Sequence, residues 1–114
     1  MSQDTNEFIK SDTLNKTVNP EKQSQHIRGS NGYIQGRSYL LDGVDAQELV
    51  DRYSGTGDIH YCKASKRISK EVVRANRDIG VRINPETGEE TLTNKFTIHY
   101  SKTGTHIVPA RRRP

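Results

Sequence analysis

The first clear hydrophobic pattern along the chain has the spacing of an α-helix. Asp45 and Glu48 stand three residues apart, as in a capping box, and the apolar residues that follow recur at helical spacing until Gly55. These residues are Ala46, Leu49, Val50 and Tyr53. The pattern predicts one amphipathic helix of about nine residues. A second, short helix is predicted near residues 21–27, with the sequence EKQSQHI.

Later in the chain the apolar positions change to a period of two, which is typical of strands. Residues 79–83 and residues 96–100 alternate apolar with polar side chains, and the turn sequence NPETG lies between them at 84–88. These two segments are therefore predicted to pair as an antiparallel hairpin.

Two further strands complete the predicted sheet. Thr103-Gly104 supplies a second tight turn, so residues 105–109 are predicted to return along residues 96–100. Residues 70–73 fit either a strand or a helix end, and the β-branched Val72 and Val73 favour the strand. The sequence thus predicts an α+β fold, in which N-terminal helical elements are followed by a twisted three- to four-stranded antiparallel sheet.

Composition places the chain close to the lower limit of foldability. Leu, Ile, Val and Phe make up 23 of 114 residues and the mean hydropathy is -0.92, so only a thin core is available. No apolar run approaches a membrane span, and the N-terminus lacks the pattern of a signal peptide. Cys62 is the only cysteine and can form no internal disulfide, and with His60 it provides too few ligands for a zinc site. No metal or other cofactor is expected.

The polar and charged segments divide the chain into three parts. Residues 1–20 are polar and end at Pro20, which predicts a flexible N-terminal arm. Residues 21–110 hold the predicted domain, and residues 111–114 form a basic tail. From Lys95 onward there are basic residues and no acid, within a net charge of +4. This asymmetry favours an anionic partner such as nucleic acid, although a solvated basic tail would have the same composition.

Candidate chemistry lies on the polar face of the C-terminal hairpin. Period-two alternation places Thr97, His99 and Ser101 on the face opposite the apolar residues. A two-residue loop at Thr103-Gly104 would set Ser101 opposite His106 and put His99 diagonal to it, whereas a three-residue loop would move His106 to the other face.

Two imidazoles on one solvated surface fit acid and base catalysis, because the histidine pKa lies near neutrality. Cleavage of RNA without a metal needs such a pair: one group removes the proton of the ribose 2′-hydroxyl, and another protonates the departing 5′-oxygen. Cations nearby would hold the charge that develops on the phosphoryl group. Histidines of ordinary half-buried strands are the alternative explanation for these residues.

Several segments of the chain resemble the polymorphic toxin type 50 family. The most specific is IHYSKTGTHIVPAR at 98–111, and KQSQHI at 22–27 and YSGTG at 53–57 support it in the expected order. Domains of this family lie at the C-terminal ends of bacterial polymorphic toxins and of phage head-morphogenesis proteins. The resemblance implies a ribonuclease with the fold shared by barnase, EndoU and RelE-like toxins.

The resemblance also suggests which residues act on RNA. His26, His106 and His99 become candidates for the catalytic acid and base, with the two roles unassigned. Cations that would contact phosphate or stabilise developing charge are Lys22, Arg37 and Lys102, and Thr97 and Ser101 would orient phosphate oxygens. Further nucleic-acid contacts are expected from Lys95, Arg111, Arg112 and Arg113.

The predicted function is therefore that of a metal-independent endoribonuclease that cleaves RNA through a 2′,3′-cyclic phosphate. The alternative is a non-catalytic module that binds nucleic acid, a phage capsid or a regulatory target on the same scaffold. Expected partners are RNA, a cognate immunity protein and phage head components, with no membrane. The expected location is the cytoplasm of a bacterial or phage-infected cell, or a target cell reached within a larger toxin or virion.

Overall fold

The computed structural model describes residues 15–62 and 67–111 of the chain. Within these residues the helices are α1 (Pro20–Ser24) and α2 (Ala46–Tyr53). The strands, in chain order, are β1 (Tyr39–Leu40), β2 (Asp58–Cys62), β3 (Arg67–Arg74), β4 (Gly80–Ile83), β5 (Glu90–Thr93), β6 (Lys95–His99) and β7 (His106–Pro109).

The strands form two antiparallel sheets. The larger sheet has four strands in the order β2-β3-β6-β7, and the smaller sheet has three in the order β1-β4-β5. The structure confirms the predicted α+β class, but it contains two sheets where the sequence predicts one. The helices are not strictly N-terminal to the strands either, because β1 lies between α1 and α2.

The predicted hairpin between residues 79–83 and 96–100 is wrong. The NPETG turn joins β4 to β5, with Ile83 opposite Glu90 and Gly80 opposite Thr93, while β6 belongs to the other sheet. The strand that intervenes, β5, has three exposed residues followed by one buried residue, and its Leu92 is 53% exposed. An edge strand held by backbone pairing rather than burial has no alternating pattern, so the sequence did not indicate it.

Both helices begin at side-chain caps. Asp45 accepts hydrogen bonds from the backbone N–H groups of Gln47 and Glu48, which confirms the predicted start of α2. Asn19 caps α1 in the same way and is followed by Pro20, whose fixed φ suits the first helical position. Leu49 and Val50 of α2 are buried in the core of the domain.

A single hydrophobic core joins α2 to the inner face of the four-stranded sheet and to the smaller sheet. Its fully buried members from the strands and their flanks include Ile79, Phe96, Ile98 and Ile107. Because alternate residues of β6 and β7 point into this core, the remaining residues of both strands lie on the outer face of the sheet. No helix among the described residues is long and apolar enough to cross a membrane.

The segment before α1 packs along the loop between β6 and β7. Val18 forms a parallel bridge with Thr105, and backbone hydrogen bonds join Asn19 to Thr105 and Thr105 to Thr17. The Asn15 side-chain amide donates to the Lys102 carbonyl at 3.1 Å. Most of the predicted arm, residues 1–14, lies outside the described residues, and its last residues are held against this loop.

Candidate functional site

The outer face of the four-stranded sheet places polar residues in rows that cross the strands. His99 of β6 is directly opposite His106 of β7 on one side and Lys70 of β3 on the other. Neither the two-residue nor the three-residue loop considered from the sequence is observed, because the pairing ends at His99 and His106 and residues 100–105 connect them. Ser101 lies in this connection instead of facing His106.

A third histidine joins this face from the N-terminal part of the chain. The ring of His26 stacks on that of His106, with centroids 5.9 Å apart and planes inclined by 10°. His106 in turn stacks on His99, with centroids 4.9 Å apart and an inclination of 15°. His26, His106 and His99 thus form a line of nearly parallel rings, here called the imidazole row.

His26 is the most deeply buried member of the row, with 6% of its surface exposed. Its Nδ1 lies 2.9 Å from the backbone carbonyl oxygen of Ser38. A carbonyl can only accept, so Nδ1 carries the proton and Nε2 of the neutral ring is left as an acceptor. The His26 backbone carbonyl accepts a hydrogen bond from Leu40 at 2.9 Å, which ties the segment after α1 to β1.

Cations surround the imidazole row. The Lys22 ammonium donates to the hydroxyls of Ser101 and Thr103, both at 2.7 Å, and Arg37 donates to the Gln25 side-chain oxygen at 3.0 Å. Lys70 lies beside His99 on the neighbouring strand. Within the described parts of the chain, none of these cations forms an ion pair with a carboxylate; the ion pair seen there joins Arg52 and Glu48 on α2. The cations therefore give the row a positive potential, and no carboxylate among the described residues is in contact with them.

Burial and this positive potential lower the pKa of every histidine in the row. The pKa of His106 is lowered to about 4, mainly by loss of hydration and further by the neighbouring His99 and His26 rings together with Lys22 and Arg37. Burial is also the main cause of the lowered pKa of His99, which Lys70 lowers further. For His26, burial and Arg37 lower the pKa and the hydrogen bond to Ser38 partly opposes them.

The other predicted site residues lie at different distances from the row. Thr97 shares the outer face with His99, two residues away along β6 and opposite Val108. Lys102 is exposed on the β6–β7 connection, and Lys95 begins β6 opposite Arg74. Arg111 lines a separate cleft with Arg82 near the smaller sheet. Arg112 and Arg113 lie outside the described residues.

Sequence reasoning missed Lys70 and Thr103 as neighbours of the site. It also missed that His60 pairs with Lys70, so that His60, Lys70, His99 and His106 occupy one row across the four strands. His60 is exposed and has Lys70 between it and His99, so it is not part of the imidazole row. The alternation of residues 58–62 could have indicated the strand that carries His60.

The backbone of the YSGTG segment is hydrogen-bonded to the buried carboxylate of Glu71. Glu71 is 0% exposed, and the Gly55 backbone N–H donates to its two oxygens at 3.0 and 2.9 Å. The Gly57 N–H donates at 2.8 Å and the Tyr100 hydroxyl at 2.7 Å. We call these contacts the Glu71 clamp. They fix the turn between α2 and β2 against the sheet, which accounts for the YSGTG sequence without a phosphate loop.

A small α+β domain with a basic, histidine-bearing sheet face is the class that this fold and site define. The family model described as Bacterial toxin 50 matches residues 18–109, and the chain belongs to this family. The resemblance inferred from the sequence motifs is thereby confirmed. No curated protein matches the chain.

Proposed function

We propose that this toxin domain is an endoribonuclease that cleaves RNA by histidine acid and base catalysis. The observation that carries the proposal is the imidazole row, in which three rings from separate parts of the chain stack beside cations that form no ion pair within the described residues. A positive surface favours a phosphodiester, and imidazoles next to it can move the protons that its cleavage requires.

The proposed reaction is an internal transfer at phosphorus. One neutral imidazole takes the proton of the ribose 2′-hydroxyl as its oxygen attacks the adjacent phosphorus. The bond to the 5′-oxygen breaks, and a protonated imidazole gives its proton to that oxygen. The products are a 2′,3′-cyclic phosphate and a free 5′-hydroxyl. Lys22, with the hydroxyls of Ser101 and Thr103, would hold the charge that develops on the non-bridging oxygens.

The coupling within the row supports a division of labour between the rings. Protonation of one ring disfavours protonation of its neighbours, as the lowered pKa of His106 reflects. Once one ring of the row is protonated its neighbours stay neutral, so that an acid and a base can stand side by side. The Ser38 contact leaves Nε2 of His26 as an acceptor, which suits His26 to the role of base.

The test is incubation of the purified domain with total RNA or tRNA in EDTA, with detection of 2′,3′-cyclic phosphate ends. We expect His26→Ala, His99→Ala and His106→Ala each to lower the rate by about 10²- to 10⁴-fold, as for the loss of a positioned proton donor or acceptor. His60→Ala is the matched control, because His60 is exposed and outside the row. Equal cleavage by the wild type and the three row variants would overturn the proposal.

A wild type that binds RNA with a steep salt dependence and leaves it intact would favour the non-catalytic alternative. Circular dichroism of each variant separates loss of chemistry from loss of the fold, which matters most for the buried His26.

A further inference from the structure

Beyond the imidazole row, the outer face of the four-stranded sheet carries a pair of cations. Arg74 of β3 and Lys95 of β6 are directly opposite each other at the far end of the face. Like charges in opposite positions of a sheet destabilise it, and in the described parts of the chain neither residue is paired with a carboxylate. A pair that costs stability and has no internal partner is suited to an external anion.

These cations border a formed cleft. The cavity has a volume of about 320 Å³ and is lined by Thr56, Gly57, Asp58, Val72, Arg74 and Lys95. The residues that line the cleft match the parts of a nucleotide. Two cations can bind a phosphate, and Val72 offers an apolar surface. The Thr56 hydroxyl and the Asp58 carboxylate can accept from ribose or base N–H and O–H groups.

One wall of the cleft is held rigid by the Glu71 clamp. Gly57, which lines the cleft, donates its backbone N–H to the buried Glu71 carboxylate at 2.8 Å. A Cβ on Gly57 would collide with the Val72 carbonyl oxygen, so the turn lies directly on β3. The wall is therefore in place before any ligand arrives, which lowers the ordering cost of binding.

The cleft and the imidazole row lie on one continuous face. Lys95 precedes His99 by four residues on β6, which corresponds to about 13 Å along a strand. The row of residues between them consists of Val72, Thr97 and Val108 on β3, β6 and β7, with the carboxylate-bearing Asp58 at its β2 end. An RNA strand whose scissile phosphate sits at the imidazole row can cross these small side chains and bring a neighbouring phosphate to Arg74 and Lys95.

We propose that the Arg74–Lys95 cleft is a subsite for a nucleotide flanking the cleaved bond of single-stranded RNA. The inference rests on the proposed ribonuclease function, which places the cleaved bond of the RNA at the imidazole row. It assigns the YSGTG turn a role in substrate binding, through the wall that Thr56 and Gly57 provide. Asp58 faces the same cleft and accepts from the donor edge of the bound base or from its ribose.

The experiment compares substrates of two lengths. Arg74→Ala/Lys95→Ala removes both cations, and Arg52→Ala/Arg82→Ala removes the same charge from α2 and the smaller sheet. Cleavage of a dinucleotide with a single phosphodiester is measured beside cleavage of an RNA octanucleotide. Octanucleotide affinity is also measured over a range of salt concentrations. This measurement uses the His106→Ala background, so that the RNA is not cleaved.

For the cleft variant we expect unchanged dinucleotide cleavage and octanucleotide binding weakened by about 5-fold near 0.1 M salt, with a salt slope shallower by about 0.7, because the two cations contact one phosphate. The control should bind and cleave as the wild type does. Equal weakening by the control, or an equal fall in cleavage of both substrates, would overturn the subsite. If the wild type cleaves neither substrate, the proposed function fails, and an unchanged salt slope in the cleft variant is then the result that refutes the cleft.

Discussion

Glu71→Gln isolates the contribution of the Glu71 clamp, because it removes the charge and keeps the size of the side chain. The carboxylate is 0% exposed and receives three donors: the N–H groups of Gly55 and Gly57 and the hydroxyl of Tyr100. With its oxygen at the Oε2 position, glutamine accepts from both glycine N–H groups, and its NH₂ group can donate to the Tyr100 hydroxyl, which then donates to Ser54 Oγ 2.8 Å away.

The expected loss of stability follows from the change in the hydrogen bond of each donor. Hydrogen bonds to charged groups are worth about 1 kcal/mol more than neutral ones, so the two retained bonds lose about 2 kcal/mol together. The Tyr100 hydroxyl exchanges its bond to a carboxylate for a neutral one, which adds about 1 kcal/mol. We therefore expect the free energy of unfolding to fall by about 3 kcal/mol, a large part of the stability of a small domain. The thermal midpoint should fall by about 10 °C.

Thermal and urea unfolding followed by circular dichroism measure this loss. Glu86→Gln is the matched control, because Glu86 is an exposed glutamate in the NPETG turn and the substitution removes the same charge. The control should keep the wild-type midpoint. A Glu71→Gln protein that melts within about 2 °C of the wild type would refute the reasoning that the carboxylate holds the YSGTG turn.

Three further predictions concern the imidazole row and the wall of the Arg74–Lys95 cleft. In an NMR titration the His106 ring should protonate near pH 4, and Lys22→Met should raise its pKa because a neighbouring positive charge is removed; a wild-type pKa close to 6.5 would contradict the structure. Because the folded pKa lies below the unfolded value, stability should be fully present above pH 6.5 and should fall as the pH drops from there toward 4, as urea midpoints at pH 7 and pH 5 will measure. Gly57→Ala should destabilise the domain by about 1–3 kcal/mol, since the added methyl group displaces the turn from the Val72 carbonyl, and a wild-type urea midpoint would contradict this.

Tyr100 illustrates the limit of a binary pattern. Its position in the alternation after Phe96 and Ile98 correctly predicts that it faces the core, where it is 7% exposed. The alternation does not reveal that its hydroxyl donates to a buried carboxylate, or that burial and this contact raise the pKa of Tyr100. Glu71 itself stands in a strand segment whose sequence, SKEVVR, contains no sign that the acid points inward.

The sequence by itself determined the local elements: the capped helix α2, the alternating strand β6 with His99 on its polar face, and the motifs that mark the toxin family. Helix caps and the periodicity of apolar residues depend on residues only a few positions apart, so they can be recognised in the sequence without knowledge of the fold. Only the tertiary structure decided that His26 stacks on His106, that His106 lies opposite His99, and that Lys70, Arg74 and Lys95 share their face. These relations depend on strand order and register, which are set by packing between segments distant in the chain.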